Sequence, residues 1–268
     1  MAIQRMERPL TCQSFGIRRG IWVAAACLSI HFGGQAQLSG AANASATRLS
    51  FVREFSSAQD VTRPHPVLDQ TLDVVAGPKT YVAPTDVLQT PYAVTTDPNH
   101  RVFVTDVGTG VVHVFDFGHS KYFLLQYGGN RLCRPVGIAA DREGNVYVTD
   151  SSSGAILVFD SKGKFRRYLK ESKGIESYFQ DPVGIAIDQG TERIYVSDSA
   201  RHMVIVLDKN GHILDRFGTR GGGVRPGEFK YPTQLATFGG ELMVLDSGNH
   251  RVQIVDVGGH FRREIKVG

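Results

Sequence analysis

One phrase is written four times in this chain, and it constrains the fold more than any global property. "HRVFVTDVGTGVVHVFDFGHS" begins at His100, "GNVYVTDSSSGAILVFDSKGKF" at Gly144, "ERIYVSDSARHMVIVLDKNGH" at Glu192 and "GELMVLDSGNHRVQIVDVGGH" at Gly240. Each is a strand of alternating β-branched and aromatic residues, a small-residue turn and a second such strand. Asp106, Asp150, Asp198 and Asp246 close the first strand, and Asp116, Asp160, Asp208 and Asp256 follow ten residues later in every copy. The first aspartates step by 44, 48 and 48 residues, a period typical of propellers or solenoids. A rigid hairpin therefore repeats while a surface loop absorbs the length differences.

The rest of each repeat completes a four-stranded unit. A proline opens it (Pro91, Pro135, Pro182, Pro232), followed by a short small-residue strand such as "VGIAAD". Proline is tolerated at the first residue of a strand, and Gly or Ala beside it permits close backbone approach, which suits the crowded innermost strand of a blade. An Asp/Gly/Asn turn, the hairpin and an outer strand follow. The expected fold is all-β, a propeller of four-stranded antiparallel blades with four recognisable blades at about 91–127, 135–172, 182–217 and 232–268.

The amino-terminal region reads differently. Arg18 and Arg19 precede the apolar stretch Ile21–Ile30, and small residues follow; this order is that of a secretory signal peptide, with cleavage expected after Ala36. The apolar run is too short for a bilayer core of roughly 30 Å, so a retained anchor is the weaker reading and no stable membrane span is expected in the mature chain. Residues 1–36 carry +3 of the chain's formal +4, so the basic balance is not a nucleic-acid footprint. Cys12 and Cys27 leave with this segment, and Cys133 is expected to remain as a lone thiol. Residues 37–71, rich in Ser and Ala, read as a linker, and Leu72, Val74 and Val75 as a first strand of a propeller spanning 72–268.

The stretches "RPVGIAADREGNVYVTDSSSGAILVFDSKGKF", "SDSARHMVIVLDKNGHILDRFG" and "LDSGNHRVQIVDVGGHFRREI" resemble the NHL repeat, named for an Asn-His-Leu signature in the turn between the second and third strands. Asn249-His250 matches its first two letters with Arg251 third; His202 keeps only the His; Gly110 and Gly154 replace it in the first two repeats. The resemblance covers roughly Thr90 to Gly268. "YVTD" at Tyr147–Asp150 is similar to the YWTD propellers, but the only tryptophan is Trp22. The resemblance implies a bacterial secreted propeller, usually of six blades, so four blades read as an incomplete ring or as an open one completed by another chain. An open ring leaves unpaired edges.

The recurring aspartates are expected to accept backbone N–H bonds in their own turns, a structural role repeated because the turn repeats. Propeller lyases and lactonases hold a divalent metal at the channel mouth, where about three ligands converge. Here the inner strands offer Tyr92, Val94, Val136, Ile138, Val183, Ile185, Thr233 and Leu235, and no His, Asp or Glu before their terminal turns. No catalytic residue, metal or cofactor is assigned. The loops joining successive blades share one face with the Asp-bearing turns, and loops on a rigid scaffold carry recognition. Nine cations stand there against eight carboxylates, a mixed face rather than the basic one of RNA-binding NHL domains. The residues that differ between repeats are the binding candidates: Arg131, Arg134, Arg201, His202, Arg220, Arg225, His250 and Arg251. The favoured reading is an exported binding or scaffold module for a protein, peptide or glycan; the alternative is a metal-dependent lyase or lactonase/hydrolase.

Overall fold

The computed structural model describes residues 56–62, 87–125, 127–169 and 179–266. Among the described residues sixteen strands form four sheets of four, each in strict sequence order. Blade 1 holds β1 (Pro91–Thr96), β2 (Val102–Asp106), β3 (Val111–Asp116) and β4 (Lys121–Leu124); blade 2 holds β5 (Pro135–Ala140), β6 (Val146–Asp150), β7 (Ala155–Phe159) and β8 (Phe165–Tyr168). Blade 3 holds β9 (Pro182–Asp188), β10 (Arg193–Asp198), β11 (Met203–Leu207) and β12 (Ile213–Gly218); blade 4 holds β13 (Pro232–Phe238), β14 (Glu241–Asp246), β15 (Arg251–Asp256) and β16 (Phe261–Lys266). All neighbours pair antiparallel. The four expected blades and their proline-opened inner strands are present. Among the described residues no helix is long and apolar enough to cross a membrane.

Alternation along the strands gives each central hairpin two apolar faces, and successive blades stack them. Phe103, Val112 and Val114 of blade 1 pack on Val146, Val148, Leu157 and Phe159 of blade 2. Tyr147, Ile156 and Val158 of blade 2 meet Ile194, Val196, Ile205 and Leu207 of blade 3. Tyr195, Val204 and Val206 then meet Leu242, Val244 and Val255 of blade 4. Nearly all side chains at these interfaces are buried, so the cores lie between blades rather than within them.

Near the axis a hydroxyl joins each blade to the next. Thr105 Oγ1 accepts the Ala93 N–H of its own inner strand at 3.0 Å and donates to the Val136 carbonyl of the next at 2.9 Å. Thr149 does the same between Gly137 N–H (2.7 Å) and the Val183 carbonyl (2.8 Å), and Ser197 between Gly184 N–H and the Thr233 carbonyl. The inner strands approach so closely that a Cβ on Gly137 would stand 2.3 Å from the Val183 carbonyl oxygen, and one on Gly184 2.0 Å from that of Thr233. Glycine is needed at these two positions for proximity, not for φ.

Before the first blade, Asp60 Oδ2 accepts the N–H groups of Ser56 and Ser57 at 2.7 and 2.8 Å and starts the single helical turn α1 (Gln59–Thr62). Its Val61 is buried against Val104 and Phe115 on the free face of blade 1. This part of the sequence assigned to a linker thus lies on the propeller body. The strand expected at Leu72 lies outside the described residues, as does the signal segment. In the full chain Cys133 is disulfide-bonded; the expectation of a lone thiol concerned the chain without Cys12 and Cys27, which lie outside the described residues.

Candidate functional site: the face carrying the inter-blade loops

The first aspartate of each repeat reaches much further than its own turn. Asp106 accepts the N–H groups of Gln89 and Thr90 at 2.6 and 3.0 Å, in the loop entering the same blade, as well as those of Gly108 and Thr109 in its turn. Asp150 accepts from Cys133 (2.7 Å) and Arg134 (3.0 Å), and Asp198 from Gln180 (2.8 Å) and Asp181 (3.2 Å). All four carboxylates are nearly or wholly buried. Burial pushes the Asp106 carboxyl up, but its four N–H donors outweigh that and hold it below the ordinary carboxylate range. Asp106, Asp150 and Asp198 therefore lock the two residues before the blade's opening proline onto the turn between the second and third strands.

What is locked is constant in backbone and variable in side chain. The residue just before the proline is Thr90, Arg134, Asp181 or Tyr231. In the first three blades its carbonyl also accepts an N–H from the residue after the aspartate: Val107 to Thr90, Ser151 to Arg134 and Ser199 to Asp181, at 2.9 to 3.1 Å. Asp181 is driven above the usual range by burial; Arg134 counters this, and Asp198 adds to it. Burial likewise raises the Tyr92 phenol; Arg134 pulls against this, Asp181 adds to it, and the Gln234 side chain lowers it slightly. Tyr92, Arg134, Asp181 and Gln234, from four successive blades, thus share one polar neighbourhood at the axis.

The fourth blade shifts this pattern by one residue. Asp246 takes the N–H of Lys230 at 2.6 Å and Gly248 donates to the Lys230 carbonyl at 2.7 Å. Tyr231 becomes an extra residue at φ 49°, half exposed, and its N–H goes instead to His202 Nδ1 at 3.0 Å. Side chains replace the missing donors on Asp246: Oδ2 accepts from Asn249 Nδ2 (2.9 Å), Arg251 Nε (2.8 Å) and Gln253 Nε2 (2.9 Å).

This geometry sorts the residues singled out in the sequence. Arg251 is a correction. It is buried, with Nη1 on Glu264 at 2.9 Å and Nη2 on the carbonyls of Arg225 and Glu228, so it cannot meet a ligand. The first side chain of β15 points inward, where Asp246 lacks backbone donors. Arg201 is tied to Asp198 at 3.3 Å, and Arg131 to the Thr109 carbonyl at 3.0 Å. The imidazole of His202 packs edge-on to Tyr231, ring centres 4.4 Å apart, and organises the loop that follows. Arg134, Arg220 and Arg225 are exposed, and their guanidinium groups have no hydrogen-bond or ion-pair partner among the described residues. His250 is exposed too.

The signature histidine position is a backbone requirement. Gly110, Gly154, His202 and His250 occupy equivalent places four residues after their aspartates, with φ of 69°, 63°, 60° and 51°. This left-handed conformation favours glycine, and histidine is among the side chains that enter it most readily. The Gly/His alternation is therefore one structural device. None of Thr90, Tyr92, Asp181, Tyr231 and Gln234 was a binding candidate in the sequence; aligning the residues before each proline would have singled out three of them.

Among the described residues no three His, Cys, Asp or Glu side chains come together to hold a metal. A hollow at the opposite end, lined by Asp141, Tyr147, Glu192 and Lys209 among others, has room for about one water.

Four sequential antiparallel blades, stacked face to face around an axis with variable loops at one end, define a β-propeller. Residues 132–159, within blade 2 and the loop entering it, match the NHL repeat. A 93-residue stretch, 34% of this chain, is 30% identical to Protein brain tumor of Drosophila melanogaster and covers only 9% of that protein. Among solved structures, the nidogen/laminin complex contains a similar chain at TM-score 0.53 and 20% identity, over 67% of this chain and 64% of that one. Streptogramin B lyase is similar at TM-score 0.51 and 15% identity, over 66% and 54%. At these identities the likeness is one of fold, which hosts both binding proteins and enzymes.

Proposed function

We propose that this protein is an exported binding module that recognises a carboxylate-bearing protein, peptide or glycan through Arg134, Arg220 and Arg225, with Tyr231 as an aromatic platform. The observation carrying this reading is a segregation of charge. The recurrent carboxylates point inward and are taken up by backbone N–H groups, while these arginines are exposed and their guanidinium groups make no hydrogen bond among the described residues, Arg134 lying near enough to Asp181 to act on its charge. A face mixed by formal count thus offers mainly cations to a ligand. Arginine grips carboxylates bidentately and stacks on planar groups. Export rests on the arrangement of Arg18-Arg19 and Ile21–Ile30.

The test is a pull-down from envelope extract with the wild type and with Arg134, Arg220 and Arg225 changed together to Ala. Loss of a partner in the variant supports the reading, and equal retention overturns this surface. Absence of any partner, together with a stoichiometric metal in purified protein, moves the reading to the enzyme. Recovery of the protein in the cytoplasm with an unprocessed amino terminus ends the export half.

A further inference from the structure

The junction between blades 2 and 3, in the middle of the described stack, sets opposite charges on adjacent strand ends. Arg134 and Asp181 each stand one residue before the opening proline of β5 and β9. The Thr149 hydroxyl holds these inner strands together by donating to the Val183 carbonyl at 2.8 Å, and Gly137 permits their close approach. Equivalent clamps then fix the two backbones: Asp150 accepts the Arg134 N–H at 3.0 Å and Asp198 the Asp181 N–H at 3.2 Å. The corresponding residues of blades 1 and 4, Thr90 and Tyr231, are uncharged. A cation and an anion side by side at the axis therefore belong to this junction alone among the described blades.

The two side chains act on one another without joining. Arg134 favours the ionised form of Asp181, yet no ion pair links them among the described residues. Arg134 is exposed, while Asp181 is partly buried. Beside Asp181 lies Ser151, only 6% exposed, whose N–H goes to the Arg134 carbonyl at 3.1 Å. Its hydroxyl is near enough to favour the Asp181 carboxylate, but Oγ is buried and makes no hydrogen bond of normal geometry among the described residues. Blade 4 gives the contrast. There the equivalent Ser247 Oγ pairs with Thr233 Oγ1 at 2.6 Å, whereas Val136, which stands in blade 2 where Thr233 stands in blade 4, has no polar atom on its side chain. A hydroxyl so buried costs stability when it is left unpaired. The Ser151 hydroxyl, aimed at a carboxylate it does not fully engage, marks a place for a ligand.

The groups present select a ligand that bears both charges. A lone anion on Arg134 would face the Asp181 carboxylate, and a lone cation on Asp181 would face the guanidinium; in partly buried surroundings salt screens such repulsion least. A zwitterionic α-amino acid meets neither penalty, because it carries its ammonium and its carboxylate on one carbon. Asp181 and Ser151 Oγ accept from the ammonium, and the Arg134 fork donates to the carboxylate. The Tyr92 phenol of blade 1, within reach of both charges, adds an O–H donor on the carboxylate side.

We infer that the axial mouth between blades 2 and 3 binds a free α-amino acid, its ammonium on Asp181 and Ser151 and its carboxylate on Arg134 and Tyr92. The site shares Arg134 with the surface proposed above but does not use Arg220 or Arg225, so the two readings fail separately. The experiment is titration calorimetry of the full chain with each of the common L-α-amino acids at millimolar concentration. At least one is expected to bind; its amide, which lacks the carboxylate, and its N-acetyl derivative, which lacks the ammonium, are expected not to. Asp181→Asn and Ser151→Ala should each weaken binding about tenfold or more, while Arg220→Ala combined with Arg225→Ala leaves it unchanged; circular dichroism checks that the variants fold. Absence of binding by every amino acid, a derivative that binds as tightly as its parent, or an affinity indifferent to Asp181→Asn would each overturn the inference. Loss of amino-acid binding in the Arg220→Ala, Arg225→Ala protein would overturn it too, by moving the ligand to the outer loop.

Discussion

Tyr231 donates its backbone N–H to Nδ1 of His202 at 3.0 Å, across the junction between blades 3 and 4. Both residues sit at positive φ, 49° and 60°, a costly backbone region for side-chain-bearing residues. The bond exists because the Asp246 clamp takes Lys230 and leaves Tyr231 over. His202 thus supplies an acceptor that the carboxylate does not.

This makes His202→Gly and His202→Ala distinguishable. Glycine relieves the backbone and loses the acceptor, whereas alanine loses the acceptor and keeps the strain. The alanine variant is expected to be less stable than the glycine variant by about 1 kcal/mol. Both should open residues 219–231 to trypsin at Arg220 and Arg225. Equal stabilities in urea, with unchanged cleavage, would show that the histidine does not organise this loop.

Replacing Asp150 by Ala leaves the N–H groups of Cys133 and Arg134 without their acceptor. A loss of about 3 kcal/mol in unfolding free energy is expected, larger than a turn-only role implies. Urea denaturation measures it; a loss under about 1 kcal/mol would mean that the long-range clamp is energetically idle.

The four-bladed part of the fold was legible because its cause is local. Proline openers, alternating strands and Asp-closed hairpins are short-range signals, and four copies make them unmistakable. The site was less legible because its bonds are long-range: Gln89 and Asp106 are 17 residues apart, and no spacing rule connects a loop to a turn two strands away. Arg251 reads as a variable loop cation until the one-residue shift at Lys230 shows that Asp246 needs it. Gln234 and Leu245 were visible as departures from Gly and Thr/Ser, but their meaning depends on how closely the inner strands approach.

Thr149→Val is nearly isosteric and removes both bonds of the inter-blade hook, stranding the buried Gly137 N–H and the Val183 carbonyl. About 2 kcal/mol should be lost. Leu245→Thr in blade 4, next to which no inner strand stands among the described residues, should cost less than Thr149→Val. Thermal unfolding of the two variants compares them, and equal losses would remove the distinction between hooked and unhooked blades.

Acid titration separates carboxylates that favour the charged form from one that disfavours it. Burial raises Asp106, Asp116 and Asp208, yet in each the lowering contacts prevail: backbone N–H groups for Asp106, and His119 and His212 with backbone N–H groups for the other two. Their folded values lie below the reference of 3.8, so the stability they contribute is fully present above that value and is lost as pH falls through it toward the folded values. Asp181 lies above 3.8 through burial; its contribution has the opposite sign, and stability declines as pH rises from 3.8 through its folded value. Unfolding free energy measured from pH 6 down to about 3 should therefore fall less steeply at the acid end in Asp106→Asn than in the wild type. Asp181→Asn should instead remove a decline on the high-pH side. An acid slope unchanged by Asp106→Asn would show that its backbone donors do not favour the ionised carboxylate, and the clamp would then rest on geometry without charge.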